Sequence, residues 1–230
     1  MSSFFVFVRC SLTLENIAPE VTAIMASRLM HLIIGHQIAE RLHIEDRTSF
    51  LLGSIAPDAV QTKDESHFFK GDHRDFSRYI DYHGFLDKYR SYSDNFYVLG
   101  YFVHLIADDL WLKGFLIPWL RNRMQADSEL YSRYHQDFRI LNGKLLEHYG
   151  AADEMRKAID NPPEVMDLQE VKSRDVAALV PQVLEDMKYD KQDIDAQLQV
   201  FTFVQIIGYL ETSVNLAIMK LQQVIQSTEV

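Results

Sequence analysis

Gly100-Tyr101-Phe102-Val103-His104-Leu105-Ile106-Ala107-Asp108-Asp109-Leu110-Trp111 is apolar throughout except at His104, Asp108 and Asp109. It has no strand-like alternation, and its length and unbroken hydrophobicity read as a helix buried on all sides. His104 and Asp108 stand four residues apart, so their side chains lie one above the other on a single face. Two groups that prefer water are thereby directed into hydrocarbon. That is unfavourable unless they are paired, hydrogen-bonded or bound to a metal. A metal ligand pair and a structural His–Asp hydrogen bond both satisfy the condition.

The same type of pattern extends outward on both sides. Ser27 is placed to cap a helix running to about Leu42, and Asp46 to cap a shorter one through Leu52. That second helix must end near Ile55, because Pro57 disfavours a helical Ala56. A charged loop follows over 61–75. Further helices are expected over about 76–89, 95–113, 128–148, 174–187 and 194–225, with Asn161-Pro162-Pro163 as an irregular connection. No strand pattern persists. The expected fold is all-α, a single-domain multi-helix bundle over 25–230, preceded by an N-terminal extension over 1–24 that matches neither pattern.

Composition narrows the function. The chain has 230 residues, of which 47% are hydrophobic and 24% charged, enough for a substantial core. Its net charge of −10 argues against a nucleic-acid polymer or an anionic membrane as partner, since both require clustered Lys and Arg. A small anionic substrate stays open, because a bound divalent cation reverses the field locally. Cys10 is the only cysteine, which excludes an internal disulfide and a cysteine-based zinc site. A cytoplasmic setting is expected, the run Phe4 to Val8 being too short and too soon broken by Arg9 for a secretory signal. No stretch reaches the ~20 apolar residues of a membrane span. The nearest, Phe201 to Leu221, carries Gln205, Glu211, Asn215 and Lys220.

Three more signals bear on chemistry. In Leu51-Leu52-Gly53-Ser54-Ile55-Ala56-Pro57-Asp58-Ala59 an apolar helix stops at proline and Asp58 sits in the turn beyond, as a cap or as a ligand. Nine residues later, His67 lies among aromatics in Ser66-His67-Phe68-Phe69. His31 lies on the first amphipathic helix, between Leu29, Met30, Leu32 and Ile33. Each of these histidines also has a plain reading as a satisfied packing residue. His83 and Asp87 repeat the i, i+4 spacing, but among Arg78, Asp81, Lys88 and Arg90 they read as a surface pair. His36 and Glu40 read as the polar face of the first helix, and Trp111 and Trp119 as core. Jointly, Asp58, His67, His104 and Asp108 offer two nitrogen and two oxygen donors, a set that suits zinc and related divalent ions. His31 adds a ligand for a second ion.

In this order, His31, Gly53-Ser54-Ile55-Ala56-Pro57-Asp58, Ser66-His67-Phe68 and Gly100 to Asp108 resemble the zinc-dependent phospholipase C family, which is all-helical and related to the S1/P1-type nucleases. The resemblance runs from about Leu29 to Trp111, a little over a third of the chain. It implies a zinc site of Asp58, His67, His104 and Asp108, with His31 in a neighbouring site and Asp108 bridging. The chain departs from the family downstream. The secreted enzymes carry a further His…His-x-x-x-Glu set, whereas here neither His135 nor His148 is followed by Glu four residues on. One or two ions (zinc, or else Mn or Fe) are therefore expected rather than three.

The function these features point to is hydrolysis of a small-molecule phosphate ester, as a phosphodiesterase or phosphatase, by metal-activated water, with Asp58 orienting or deprotonating that water. Asp72 and His73 are the nearest loop candidates for a general acid. The alternative is a non-catalytic helical protein with a structural or vestigial metal site that acts by binding a partner or a second copy of itself. Other hydrolase signatures are missing: there is no His-Glu-x-x-His, no Gly-x-Ser-x-Gly, no adjacent His-Asp dyad and no phosphate-binding glycine loop.

Overall fold

A computed structural model describes residues 25–72 and 75–228. The expected extension over 1–24, and His73 as a general acid, lie outside the described residues. Within them the chain is a multi-helix bundle whose one sheet is a two-stranded ribbon.

Helix α1 (Arg28–Arg41) starts where Ser27 Oγ accepts the Met30 N–H at 3.3 Å. Helix α2 (Arg47–Ile55) starts where Asp46 accepts from the Ser49 N–H at 3.0 Å. Both caps satisfy first-turn donors that have no intrahelical partner. Helix α2 ends at Ile55 as expected, but Ala56 keeps helical angles (φ −58°, ψ −42°) and opens a 3-10 turn, Ala56–Ala59, whose first turn holds Pro57. The chain then forms one helical turn, α3 (Lys63–Ser66), and an antiparallel ribbon of β1 (Phe69–Lys70) and β2 (Tyr79–Ile80), with Phe69 opposite Ile80. After α4 (Tyr82–Lys88) comes the central helix, α5 (Phe96–Trp111), capped by Asn95 through the Tyr97 and Val98 N–H groups.

The remaining helices are α6 (Arg121–Ala126), α7 (Leu130–Tyr149), α8 (Ala152–Ile159), α9 (Ser173–Asp186), α10 (Lys191–Asp195) and α11 (Phe203–Thr228). Helices α3, α6 and α8 lie where the sequence reading expected none, and three expected helices differ in extent. The helix expected over 76–89 is shortened to α4, because 79–80 pair with β1. The helix expected over 194–225 is broken at 196–202. There the fully buried carboxylate of Asp137, on α7, accepts the N–H groups of Gln199, Val200 and Phe201 at 2.8, 2.8 and 3.1 Å. Those donors are thus lost to helix formation, and α11 begins only at Phe203. Finally, α5 does not stop near Lys113. It continues through a wider π-helical stretch, Leu112–Leu120, which contains Pro118. Proline has no N–H and crowds the carbonyl four residues back, so a regular α-ladder is unfavourable there.

Helix α5 is buried on every side, as its composition requires, and packs on α1, α2 and α11. Trp111 is fully buried, stacks on Phe115 at 4.5 Å and meets Tyr209 edge-on at 5.1 Å. Trp119 meets Phe201 at 5.9 Å at the rim of the same aromatic cluster. Trp111 therefore belongs to the core, as expected, whereas Trp119 is partly buried and packs against it.

The closest crossing is between α2 and α5. A Cβ at Gly53 would lie 2.1 Å from the Tyr97 carbonyl oxygen, and one at Gly100 would lie 2.0 Å from that of Phe50. Each helix therefore uses a glycine to admit the other's backbone. Gly100→Ala should lower unfolding free energy by about 3 kcal/mol, the upper range for overpacking. Gly114→Ala, where nothing lies within 4 Å, should instead raise it by about 0.5–1 kcal/mol, as expected for helical Gly→Ala. Urea unfolding of both variants measures the contrast, and equal effects would contradict the crossing.

Candidate metal centre

The α2–α5 crossing places the carbonyl of Ser54 2.8 Å from His104 Nδ1, to which the ring N–H donates. That bond fixes the tautomer and turns the Nε2 lone pair inward. A parallel device orients His67. Ser66 Oγ donates to the Pro57 carbonyl at 2.9 Å, so it accepts from His67 Nδ1, also at 2.9 Å. The Ser66 carbonyl is in turn held by the Tyr101 hydroxyl at 2.5 Å. Phe68, next in the chain, takes φ 52° and packs edge-on against Phe85 at 5.2 Å. A left-handed phenylalanine costs roughly 1–2 kcal/mol. The strain sits directly after His67, where the chain reverses from α3 into the ribbon.

All five sequence-predicted residues converge. His104 Nε2 and His67 Nε2 stand 3.3 Å apart, and Asp108 Oδ2 is 3.0 Å from the first and 3.2 Å from the second. Asp58 Oδ1 approaches His67 Nε2 at 3.7 Å from the turn after α2. On the far side, His31 Nε2 is 3.1 Å from Asp108 Oδ1, and its ring stacks on that of His104 at a centroid distance of 3.7 Å. Asp108 thus presents one oxygen to His67 and His104 and the other to His31. His31, His67, His104 and Asp108 are at most 1% exposed. Only Asp58, with 13% of its side chain exposed, reaches the surface side.

Whether these residues fit a cation is decided by their unmet valences. Both oxygens of Asp108 and both ring nitrogens of His31 are buried without a hydrogen bond. Leaving such groups unpaired costs about 1–3 kcal/mol each. Two ligand atoms on one tetrahedral ion with bonds of about 2.0–2.1 Å lie ~3.3 Å apart, and the donor separations here cluster around that value. His31, His104 and Asp108 form one group of mutually close ligand atoms, and Asp58, His67 and His104 another. The residues therefore form buried clusters able to hold a divalent ion.

Protonation follows the same wiring. Burial pushes His104 down to about 4, so the ring is neutral at pH 7. Burial acts on His67 in the same direction, but the carboxylates of Asp108 and Asp58, 3.2 and 3.7 Å from Nε2, outweigh it and raise that ring above its ordinary value. For Asp108 burial favours the neutral acid, yet the histidines beside it hold the carboxyl well below the usual range. Asp58 is likewise held low, burial being outweighed by the charge of Lys63, whose Nζ lies 2.7 Å from Oδ1, and by the His67 ring 3.7 Å away. In the metal-free protein the raised His67 and the Lys63 ammonium set positive charge against the carboxylates on the Asp58 side. Ligation requires the His67 proton to leave.

The sequence reading missed Lys63, Ser54, Ser66 and Tyr101. Ser66 stood beside His67 in the quoted motif, but its bond to Pro57 depends on how the turn folds back. Lys63 had no signal other than lying five residues beyond Asp58. Two surface readings divide. His83 and Asp87 are exposed, as expected, and Asp87 pairs with Arg90 at 2.6 Å. His36, expected on a polar face, is 3% exposed, because α2 and α8 cover it. Its Nδ1 lies 3.2 Å from Arg47 Nη2 and its Nε2 is 3.9 Å from Glu154. His36, Glu40 and Glu154 also bring ligand atoms together, but there the Arg47 guanidinium already supplies the positive charge, paired with Glu40.

No protein-family profile matches the chain, and neither does any curated protein or solved structure compared with it.

The ring assignments give a direct spectroscopic expectation. In metal-free protein, imidazole 15N shifts should show His104 neutral and Nδ1-protonated down to near pH 4, with His67 titrating above 6.5. The stability contributions run in opposite senses. His104, with a lowered folded value, loses stability as pH falls from about 6.5 towards 4, whereas His67, with a raised one, loses it as pH rises through its folded value. One shared midpoint near 6.5 for both rings would contradict the wiring.

Proposed function

We propose that the chain is a metal-dependent hydrolase of a small phosphate ester, of the phospholipase C and P1 nuclease kind that its ordered motifs resemble. The observation that carries this reading is the meeting of Asp58, His67, His104 and Asp108 around one point, with Asp108 extending to His31. His67, His104, Asp58 and Asp108 would hold the principal ion, and His31 with Asp108 a second. Their mixed nitrogen and oxygen donors suit zinc first, then Mn or Fe. When bound, such an ion lowers the pKa of water and stabilises charge on a phosphoryl oxygen.

The protein's own contribution is positional. Ser54 and Ser66 hold the two rings in one tautomer, and outer partners of this type set ligand basicity and orientation. Asp58 is the one ligand at the solvent edge, so it is the group able to orient an incoming water and accept its proton. The buried side, His31 and Asp108, excludes bulk water from beneath the ions. A small substrate accords with the net charge of −10, and a cytoplasmic setting with the lone Cys10. Among the described residues, no helix is long and apolar enough to cross a membrane.

The second reading, a structural clamp in a partner-binding protein, draws on the depth of the site, four of whose five side chains are essentially inaccessible. Elemental analysis and turnover separate the two. Protein purified without added metal should retain about one or two equivalents of Zn, Mn or Fe, and should cleave an aryl phosphomonoester or phosphodiester. His104→Ala should lose the metal. Asp58→Asn should keep most of it and lose about 100-fold or more in kcat/KM, the range for a general base. Metal retained without turnover of any ester would establish the clamp, and absence of metal would remove both readings.

A further inference from the structure

A cavity of about 350 Å³ opens against Asp58 and Lys63, walled by Arg28 at the start of α1, by Arg139 and Asn142 of α7, and by Asp186 at the end of α9. In a chain of net charge −10, three cationic side chains face this one space. Two of them are already committed. Arg28 pairs with Asp186 and donates to Gln182 at 2.9 Å, and Arg139 is tied to Asp193 at 2.7 Å. Lys63 is different, because its counter-charge, 2.7 Å away, is Asp58. A cation that draws on the Asp58 carboxylate takes that counter-charge from Lys63, whose side chain is only 27% exposed. An ammonium in such a place calls for another anion.

A second, independent feature lies on the opposite wall. Asn142 is 8% exposed, and its Oδ1 is buried without a hydrogen-bond partner. Buried carbonyl oxygens in native structures are normally satisfied, and a ligand hydroxyl would satisfy this one. The volume is near the lower limit of small-molecule sites, roughly 300–1,000 Å³. That is room for a compact molecule and too little to enclose a diacyl lipid.

Building on the hydrolase reading above, we propose that this cavity is the substrate pocket, and that it takes a phosphate monoester of a small polyol or sugar. Lys63 holds the phosphoryl group beside the metal centre, and Asn142 Oδ1 accepts a hydroxyl of the alcohol portion. In the reaction, water oxygen bonds to phosphorus as the ester P–O bond breaks. One water proton ends on the released alcohol, and inorganic phosphate is the other product. Lys63 is a binding residue selective for the anion, and it acts only once a cation has drawn on Asp58.

Calorimetric titration with inorganic phosphate tests this, with metal content measured on every sample. Phosphate should bind the metal-loaded protein and not the chelator-stripped one. Lys63→Met should weaken that binding at least 10-fold at unchanged metal content, and Lys63→Arg should recover most of it. Asn142→Leu should raise KM for glycerol 2-phosphate several-fold more than it raises KM for an aryl phosphate, which has no free hydroxyl on its alcohol portion. Unchanged phosphate affinity in a metal-replete Lys63→Met protein overturns the pocket and leaves the hydrolase reading standing. Preference for a long-chain phospholipid over glycerol 2-phosphate overturns it as well. A wild-type protein without metal removes the hydrolase reading itself, and the pocket assignment with it.

Discussion

The crossing of α2 over α5 is the constraint from which the rest of the site follows. Gly53 and Gly100 let the two backbones approach until no side chain fits between them. At that separation the Ser54 carbonyl, one residue beyond Gly53, reaches the ring of His104, one turn beyond Gly100. The same approach sets where α2 ends, and hence where Pro57 turns the chain and Asp58 projects. Gly35 on α1 faces Ser54 as well, so a Cβ there would lie 2.6 Å from Ser54 Oγ. Three helices thus meet closely around one serine. His31 and His104, on two of them, are brought into ring contact. Widening the crossing by one methyl group would move a metal ligand, its tautomer-setting carbonyl and the neighbouring turn together.

Much of this was legible in the sequence, for reasons specific to each element. Helix α5 was legible because a run so apolar, with polar residues only four apart, has few other stable arrangements. The ends of α1 and α2 were legible because Ser27, Asp46 and Pro57 act locally, through hydrogen bonds and sterics within a turn. The break before α11 was not, because its cause is Asp137, some 60 residues earlier, which captures three backbone donors. Nor was the short ribbon, since two residues per strand carry no alternation. His36 shows the same limit. Its neighbours Gln37 and Arg41 mark a polar face, and only the packing of α8 against α1 and α2 reveals that the face is covered.

The site itself divides along that line. The ligand types could be read because imidazole and carboxylate in apolar surroundings are conspicuous by their cost. Their convergence depends on tertiary contacts, and so does the supporting shell. Ser66 links Pro57 to His67 and, through its carbonyl, to Tyr101 on α5. It joins the turn, the loop and the central helix in one chain of bonds. Nothing about a serine beside a histidine announces such a role.

Charge explains why the cluster is oriented as it is. Two carboxylates and three imidazoles share a volume in which four of the five side chains are at most 1% exposed. Neutral rings alone would leave the two negative charges uncompensated, at a cost of several kcal/mol per ion in such surroundings. The metal-free protein meets that cost unevenly. Lys63 and the His67 proton serve the Asp58 side, where solvent is near. Towards His31 the oxygens and nitrogens remain without hydrogen bonds. The deep half of the cluster is therefore the half with hydrogen-bonding valences left unused, where a divalent ion gains most by binding. The shallow half has an exchangeable proton and a movable ammonium, which are the groups that must yield when a ligand enters. Depth supplies affinity for the ion and the Asp58 edge supplies access, so the two halves of one buried cluster are suited to different tasks.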